Sequence, residues 1–401
     1  MKYLILGAGP AGLTFANKLK EMGETSFLVL EHEEEAGGLC RSAEVDGSPF
    51  DIGGGHFLDV RIPEVTKFLF GFMPESEWNK FDRDSRIVVG NNTIHHPMEA
   101  NIWEMDIDSQ VEYLKSIAAA GCNSGAKMPK DFVEWIFWKL GDKIAEDYMI
   151  PYNRKMFADD LNDLGTYWLD KLPSVSFEDT LRSCLTKHAY AKQPGHAQFY
   201  YPKKYGYGEV WKRMADNISG NIEYGKTAVK LNITEKSVTA KDGSVYQAEN
   251  IITTIPWLEF EEIIGMPDDI RSMIKKLKYS SVETRYYSEN MDTDAHWIYY
   301  PNDNLAYHRI LVRHNFSLGS RGYWTETRKE RISMITDDNF NYLNKYAYPL
   351  NTKEKPEIMK SVLEFGRENN IYGLGRWGEH QHYNSDITVN LSMKLAQQLN
   401  G

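Results

Sequence analysis

Two adjacent histidines and a glutamate three residues beyond the second stand in TIHHPMEAN, residues 93–101. Imidazoles beside a carboxylate are metal-ligand types. Neighbouring residues on a strand point to opposite faces, so His95 and His96 cannot share one ion, and no third ligand has a recognisable spacing. No metal is expected. Cys40, Cys122 and Cys184 are widely separated, odd in number and without CxxC spacing, which indicates neither a zinc site nor a disulfide framework. No Ser-His-Asp set or paired-carboxylate motif stands out. What does stand out is phosphate binding. In GAGPAG, residues 7–12, Gly7 permits a tight turn, Gly9 lets backbone approach a pyrophosphate, Gly12 allows close helix packing, and Glu31 can accept from ribose hydroxyls. Ala11 belongs to the same cofactor-binding loop.

These residues need a βαβ unit to position them, and residues 2–31 supply its pattern: YLIL, the glycine turn, the apolar-periodic LTFANKLKEMG, then SFLVLE ending in Glu31. Aromatic-rich helical periods follow between about 100 and 190, as in DFVEWIFWKLGDKIAEDYM. Alternating segments return around NIEYGKTAVKLNITEKSVTAKDGSVYQAENIITTIP, where DGS marks a hairpin turn and IITTIP a buried strand. YSSVETRYYS and HWIYYPNDNLAYHRILVRH read as antiparallel strands, and GLGRWG as a strand and turn into a last helix, ITVNLSMKLAQQL. EHEEE at 31–35 reads as a solvated loop. The expected fold is α/β: a Rossmann-type dinucleotide-binding domain from residues 1–60, 195–262 and 366–401, an inserted helical domain at 100–192, and an antiparallel β-sheet substrate domain from 61–99 and 263–365.

The 401-residue chain carries a formal charge of -11, which disfavours nonspecific binding to nucleic acid or an anionic membrane. YLILGAG after Met1 is too short to span a bilayer and lacks a cleavage region, so no membrane insertion and a cytoplasmic location are expected.

Glycine pairs recur in GGLCRS (37–42) and FDIGGGHF (50–57). They read either as tight turns or as backbone laid against a flat, extended cofactor, which favours FAD over NAD. GAGPAG, GGL and FDIGG resemble the FAD proteins related to amine oxidases, protoporphyrinogen oxidases and UDP-galactopyranose mutase. Four later segments single out the last: MIPYNRKMF (149–157), YPKKYGYGEVW (201–211), WIYYPNDNLAYHR (297–309) and GRWGEHQHYNSDITV (375–389). Each is similar to the corresponding mutase segment, in the same order.

The resemblance implies an FAD enzyme, active when reduced, that interconverts pyranose and furanose forms of a nucleotide sugar through attack of flavin N5 on the anomeric carbon. NADPH or NADH would be the reductant, and a homo-oligomer is compatible with the family. Gly38, Leu39, Gly53, Gly54, Asn384 and Ser385 are implied cofactor contacts, with Gly54, Gly55 and His56 beside the flavin. Arg309 and Arg376 match arginines near the diphosphate and the reacting centre; planar donor forks suit phosphate oxygens. Tyr299 and Tyr348 match diphosphate-binding tyrosines. Asn153 and Phe157 match positions near nucleotide and sugar, although core packing accounts equally for Phe157. YPKKYGYG reads as a flap or as an ordinary turn.

Four departures from the family stand out. A third family arginine, on the loop after PYN, has only Lys171 near its place. The extra glycine in FDIGGGHF puts Gly55 where the flavin-side histidine is expected and His56 one later. His382 stands at a tyrosine position. Finally, TIHHPMEAN aligns with a uracil pocket built from an aromatic, a proline, an aromatic and a glutamine, here His96, Pro97, Met98 and Glu99. His96 can stack and Met98 can cover a ring. Ionised Glu99 only accepts, which suits the adjacent N–H donors of guanine better than uracil, and points to a nucleotide other than UDP; if backbone reads the base, Glu99 faces solvent. The competing readings are a conventional FAD oxidase or dehydrogenase and a noncatalytic nucleotide-sugar binding flavoprotein.

Overall fold

The run YLIL becomes the strand Tyr3–Leu6, in the middle of a five-stranded parallel sheet. In the computed structural model, which describes residues 1–169, 175–190 and 197–401, its order is Ile222–Glu223, Phe27–Leu30, Tyr3–Leu6, Asn250–Thr253, Ile371–Gly373. Parallel strands with both faces covered need apolar residues at successive positions. Tyr3 and Ile5 accordingly pack with Phe15, Trp211 and Val389 on one face, and Leu4 and Leu6 with Trp257, Ile358 and Ile371 on the other. Helix Pro10–Glu21 starts on the glycine turn with proline in its first turn and no acidic residue there, and Lys18 and Lys20 lie in its last turn. Its N-terminus thus keeps unopposed positive character. The last helix, Ser385–Asn400, lies alongside it.

The DGS turn closes a hairpin between Ser237–Ala240 and Val245–Gln247, within a four-stranded sheet completed by Ala228–Asn232 and Glu262–Ile264. A seven-stranded sheet forms the next layer: Asn341–Pro349, Tyr279–Tyr287, Tyr323–Arg328, Arg309–Leu311, Trp297–Tyr299, Ser85–Val89 and Asn92–His95. All its pairings are antiparallel except Trp297–Tyr299 with Ser85–Val89. Among the described residues between 98 and 186, the helices Ile107–Ala119, Phe132–Ile144, Ile150–Met156 and Phe177–Thr186 gather around Ile136, Ile144 and Ile117.

Gln198–Pro202, expected with the dinucleotide fold, pairs antiparallel with both Leu58–Asp59 and Trp78–Asp82, so one small sheet joins segments assigned to different domains. Tyr201 and Phe199 pack into the core that also holds Trp297 and Phe316, and this burial draws the strand there. Among the described residues no helix is long and apolar enough to cross a membrane.

Candidate active site

The glycine loops meet face to face. A β-carbon on Gly12 would stand 2.0 Å from the Gly7 carbonyl oxygen, and one on Gly53 would stand 2.0 Å from the Leu39 carbonyl oxygen. The backbones of 7–12, 37–40 and 53–55 therefore pack without side chains between them, leaving Gly9, Gly38, Leu39 and Gly53 partly accessible. Glu31 is 3 % exposed. Its carboxylate accepts from the N–H groups of Ala8 at 2.7 Å and Glu33 at 3.0 Å, fixing the turn and leaving further lone pairs for a ribose. EHEEE is thus only partly a solvated loop, since Glu33 also binds Arg41. Ala11 and Ser385 are buried: Gly375 presses on Ala11, and the Ser385 hydroxyl meets Tyr207 Oη at 2.7 Å. Asn384 caps the last helix and is partly accessible. Two helix N-termini and three glycine loops form a cradle without bulk, which fits an extended dinucleotide.

Across its three central strands the seven-stranded sheet lines up Tyr299, Arg309 and Glu326 as direct cross-strand neighbours. Glu326 is 1 % exposed and takes Arg309 Nη2 on both oxygens, at 2.7 and 2.6 Å, and Nε at 3.1 Å. It also accepts the Gly55 N–H at 3.0 Å and the Tyr348 hydroxyl at 3.5 Å. A β-carbon on Gly54, whose φ is +85°, would stand 2.2 Å from the same carboxylate, so only glycine lets this loop lie on the sheet. Burial opposes the charge of Glu326, but Arg309 and His308 outweigh it and hold the carboxyl well below its usual range. Burial likewise opposes the charge of Arg309, and Glu326 with Tyr348, Tyr152 and Tyr299 outweighs it.

Arg376 places Nε and Nη2 on the Tyr383 carbonyl at 3.0 and 2.8 Å and Nη1 on the Ala347 carbonyl at 3.1 Å. Burial pulls its guanidinium below the usual range. His56 lies in reach of both groups: burial first, then Arg376, push its imidazole down to about 4, against the pull of Glu326. Despite the extra glycine, the imidazole thus stands within the field of Arg376 and Glu326. Tyr348, pushed up to about 12 by burial, contacts the His382 ring at 4.9 Å and the Phe157 ring at 6.2 Å. Phe157 is 7 % exposed and packs on Trp168. Asn153 is buried, its Nδ2 donating to the Met149 carbonyl at 2.7 Å. Lys171 lies outside the described residues.

TIHHPMEAN splits as strand alternation demands. His95 faces outward to Glu104 at 2.7 Å, whereas His96 turns inward, 5.4 Å from the Tyr299 ring and 3.2 Å from Arg83 Nη2. Glu99 remains partly accessible, and burial raises its carboxyl against the charge of Lys139. Met98, expected to cover a ligand ring, is 0 % exposed and packed in the helical core. Helix Met98–Asn101 begins there, and its turn sends residue 98 inward. Among the described residues no group of three or more His, Cys, Asp or Glu is placed to hold a metal.

Sequence reasoning missed Arg83, Tyr152, His308 and Glu326. Arg83 donates to Tyr299 Oη at 3.3 Å and lies 4.9 Å from the Trp297 ring centroid. Tyr152 meets Tyr299 edge-on at 5.4 Å. Tyr152 sits in MIPYNRKMF and is open to selection; Arg83, between two strands, and Glu326, on a strand, read as ordinary charges until the register is known. A depression of about 580 Å³ between Ile107–Ala119 and Phe132–Ile144 contains none of these residues. It is lined by Lys115, Trp138 and Lys143 and has no matching set of convergent groups.

Comparison with known proteins places this geometry in context. A family model described as NAD(P)-binding Rossmann-like domain matches residues 5–70. An uncharacterized protein in the nifH2 3' region of Methanothermococcus thermolithotrophicus is 45 % identical over 53 residues, 13 % of this chain and 50 % of that protein. The match thus spans half the length of this curated relative. Among solved structures, a reduced UDP-galactopyranose mutase superposes with a TM-score of 0.88 at 21 % identity, covering 99 % of this chain and 93 % of the other. A putative protoporphyrinogen oxidase from Exiguobacterium sp. 255-15 gives 0.72 at 12 % identity, covering 100 % and 98 %. Putrescine oxidase bound to putrescine gives 0.62 at 14 %, covering 99 % and 98 %. The chain therefore shares its fold with a UDP-galactopyranose mutase, a putative protoporphyrinogen oxidase and putrescine oxidase.

Proposed function

We propose that this protein is an FAD-dependent nucleotide-sugar mutase that interconverts pyranose and furanose forms, used in polysaccharide biosynthesis. The observation that carries this reading is the convergence of Arg309, Arg376, Tyr299, Tyr348 and His56 beside the glycine cradle. An oxidase acting on a small amine has no need of two arginines facing one space; a sugar diphosphate does. The glycine backbones around Gly9, Gly38 and Gly53 would hold FAD. Reduced and bound, the flavin supplies the nucleophile for the anomeric carbon, so the protein has only to bind, orient and stabilise charge. Arg309 and Tyr299 then receive the diphosphate as negative charge develops on its leaving oxygen. His56, neutral at pH 7, shapes the sugar end without adding charge. Water exclusion falls to the aromatic wall of Tyr152, Tyr299 and Tyr348.

The base end lies at His96 and Glu99. A carboxylate there complements the two N–H donors of guanine, and a site that leaves a buried polar group unpaired discriminates by roughly 10⁴. We therefore favour a GDP-sugar, or another nucleotide sugar than UDP-galactose. The decisive experiment reduces the flavoprotein with dithionite, supplies UDP-, GDP- and dTDP-hexoses, and seeks an isomer of equal mass by chromatography. Isomerisation of none of them removes the mutase reading. Stoichiometric oxygen consumption with an amine instead supports the oxidase alternative that the fold also accommodates.

A further inference from the structure

Arg309 is half of a neutral pair, which is a poor receptor for an anion. Glu326 occupies its Nε and Nη2, and an incoming diphosphate would meet the charge of Glu326 nearly as strongly as that of Arg309. Nη1 makes no hydrogen bond to a described residue. For Arg309 to serve the ligand fully, Glu326 needs another counter-charge.

His308 is the group placed to supply one. It is 0 % exposed, and its Nε2 lies 3.4 Å from Glu326 Oε2, outside good hydrogen-bond geometry. Its backbone N–H donates to the Glu326 carbonyl at 2.9 Å, so the two residues cannot drift apart. Strand Tyr323–Arg328 presents Glu326 to it, helix Ile150–Met156 presents Tyr152, edge-on at 5.9 Å, and Lys155, and its own strand presents Arg309. Burial first, then Arg309 and Lys155, hold the imidazole below its usual range despite Glu326. It is therefore neutral at pH 7 while no ligand is bound. Its Nδ1 has no hydrogen-bond partner, which leaves one nitrogen able to take a proton without breaking a contact. An added negative charge a few ångströms away, in a site of low effective dielectric, favours the imidazolium.

We propose that binding of an anionic sugar diphosphate at Arg309 draws one proton from solvent onto His308, which then pairs with Glu326 and leaves Arg309 to the ligand. His308 is a positioning residue: it does not touch the reacting atoms. The inference rests on the nucleotide-sugar reading above and adds a proton-coupled exchange of partners to it. The proton comes from the buffer and returns to it when ligand leaves.

The test is calorimetric titration of the oxidised holoprotein with a UDP-hexose and a GDP-hexose, whose diphosphate diesters do not titrate near pH 7. Two buffers of different ionisation enthalpy are compared. The wild type should take up roughly half to one proton more per ligand than His308→Gln, and its affinity should fall roughly 3- to 10-fold per pH unit above pH 7, with a flatter profile in the variant. His56 and His96 are present in both proteins, so the difference isolates His308. Equal proton counts in the two proteins overturn the proposal. No net uptake by the wild type overturns it without the variant, should His308→Gln fail to fold. If neither nucleotide sugar binds the wild type, the nucleotide reading itself fails and the inference falls with it.

Discussion

Replacing Glu326 by glutamine should move stability and anion affinity in opposite directions. The substitution is nearly isosteric, so packing at this 1 % exposed position is kept. One oxygen can still accept from Gly55, but the new amide group turns donors toward the Arg309 donors. Removing one partner of a buried ion pair costs about 3–5 kcal/mol. The Arg309 side chain is 19 % exposed, and water reaching it places the expectation at the lower end, about 3 kcal/mol. The same change removes a negative charge roughly 8 Å from a bound phosphate, which at an effective dielectric near 20 is worth about 2 kcal/mol of relieved repulsion. Urea unfolding followed by tryptophan fluorescence reads the first effect. Titration with the nucleotide sugar that binds the wild type reads the second, expected as at least a tenfold gain in affinity. A variant as stable as wild type, or one that binds the ligand more weakly, would refute the claim that Glu326 mutes Arg309.

Asp51 is fully buried and pushed up to about 7 by burial, against the donors Ser42, Tyr201 and Tyr207. Its folded value lies above its unfolded one, so its contribution is complete below about pH 4 and lost as pH rises to about 7. Asp51→Asn should therefore gain about 3–4 kcal/mol on wild type across that window, measured by urea unfolding at each pH. Gly12→Ala places a methyl against the Gly7 carbonyl, where neither backbone can yield, and should purify without flavin, as read from the visible absorbance per protein. Arg309→Ala and Arg376→Ala should each weaken nucleotide binding by about 2 kcal/mol or more; calorimetry showing unchanged affinity removes that arginine from the site. Because burial raises the Glu99 carboxyl, affinity for a GDP-hexose should improve as pH rises through the acidic range and that group ionises, before the fall above pH 7 that His308 imposes, whereas Glu99→Gln should lose the acidic-side rise and shift preference toward a UDP-hexose. Equal thermal stabilisation of the reduced protein by UDP and GDP would sink the guanine assignment.

Features that depend on short-range periodicity were legible in the chain. YLIL, GAGPAG and the helix after it declare a βαβ unit because turn geometry and helix packing demand glycine at three positions, and a strand buried on both faces demands an apolar run. The DGS hairpin and the opposed directions of His95 and His96 follow from the two-residue repeat of a strand. Arg309, Tyr299 and Tyr348 could be selected by their motifs, but nothing local says that Arg309 faces a carboxylate. That fact lives in the register between Arg309–Leu311 and Tyr323–Arg328, which sets Glu326 directly across from it. The fate of Met98 likewise depends on a helix that begins at that residue and turns it into the core. Register and packing direction are decided by burial summed over many distant contacts, so a sequence reading can name the groups that do chemistry while only the tertiary structure decides which charges they must share.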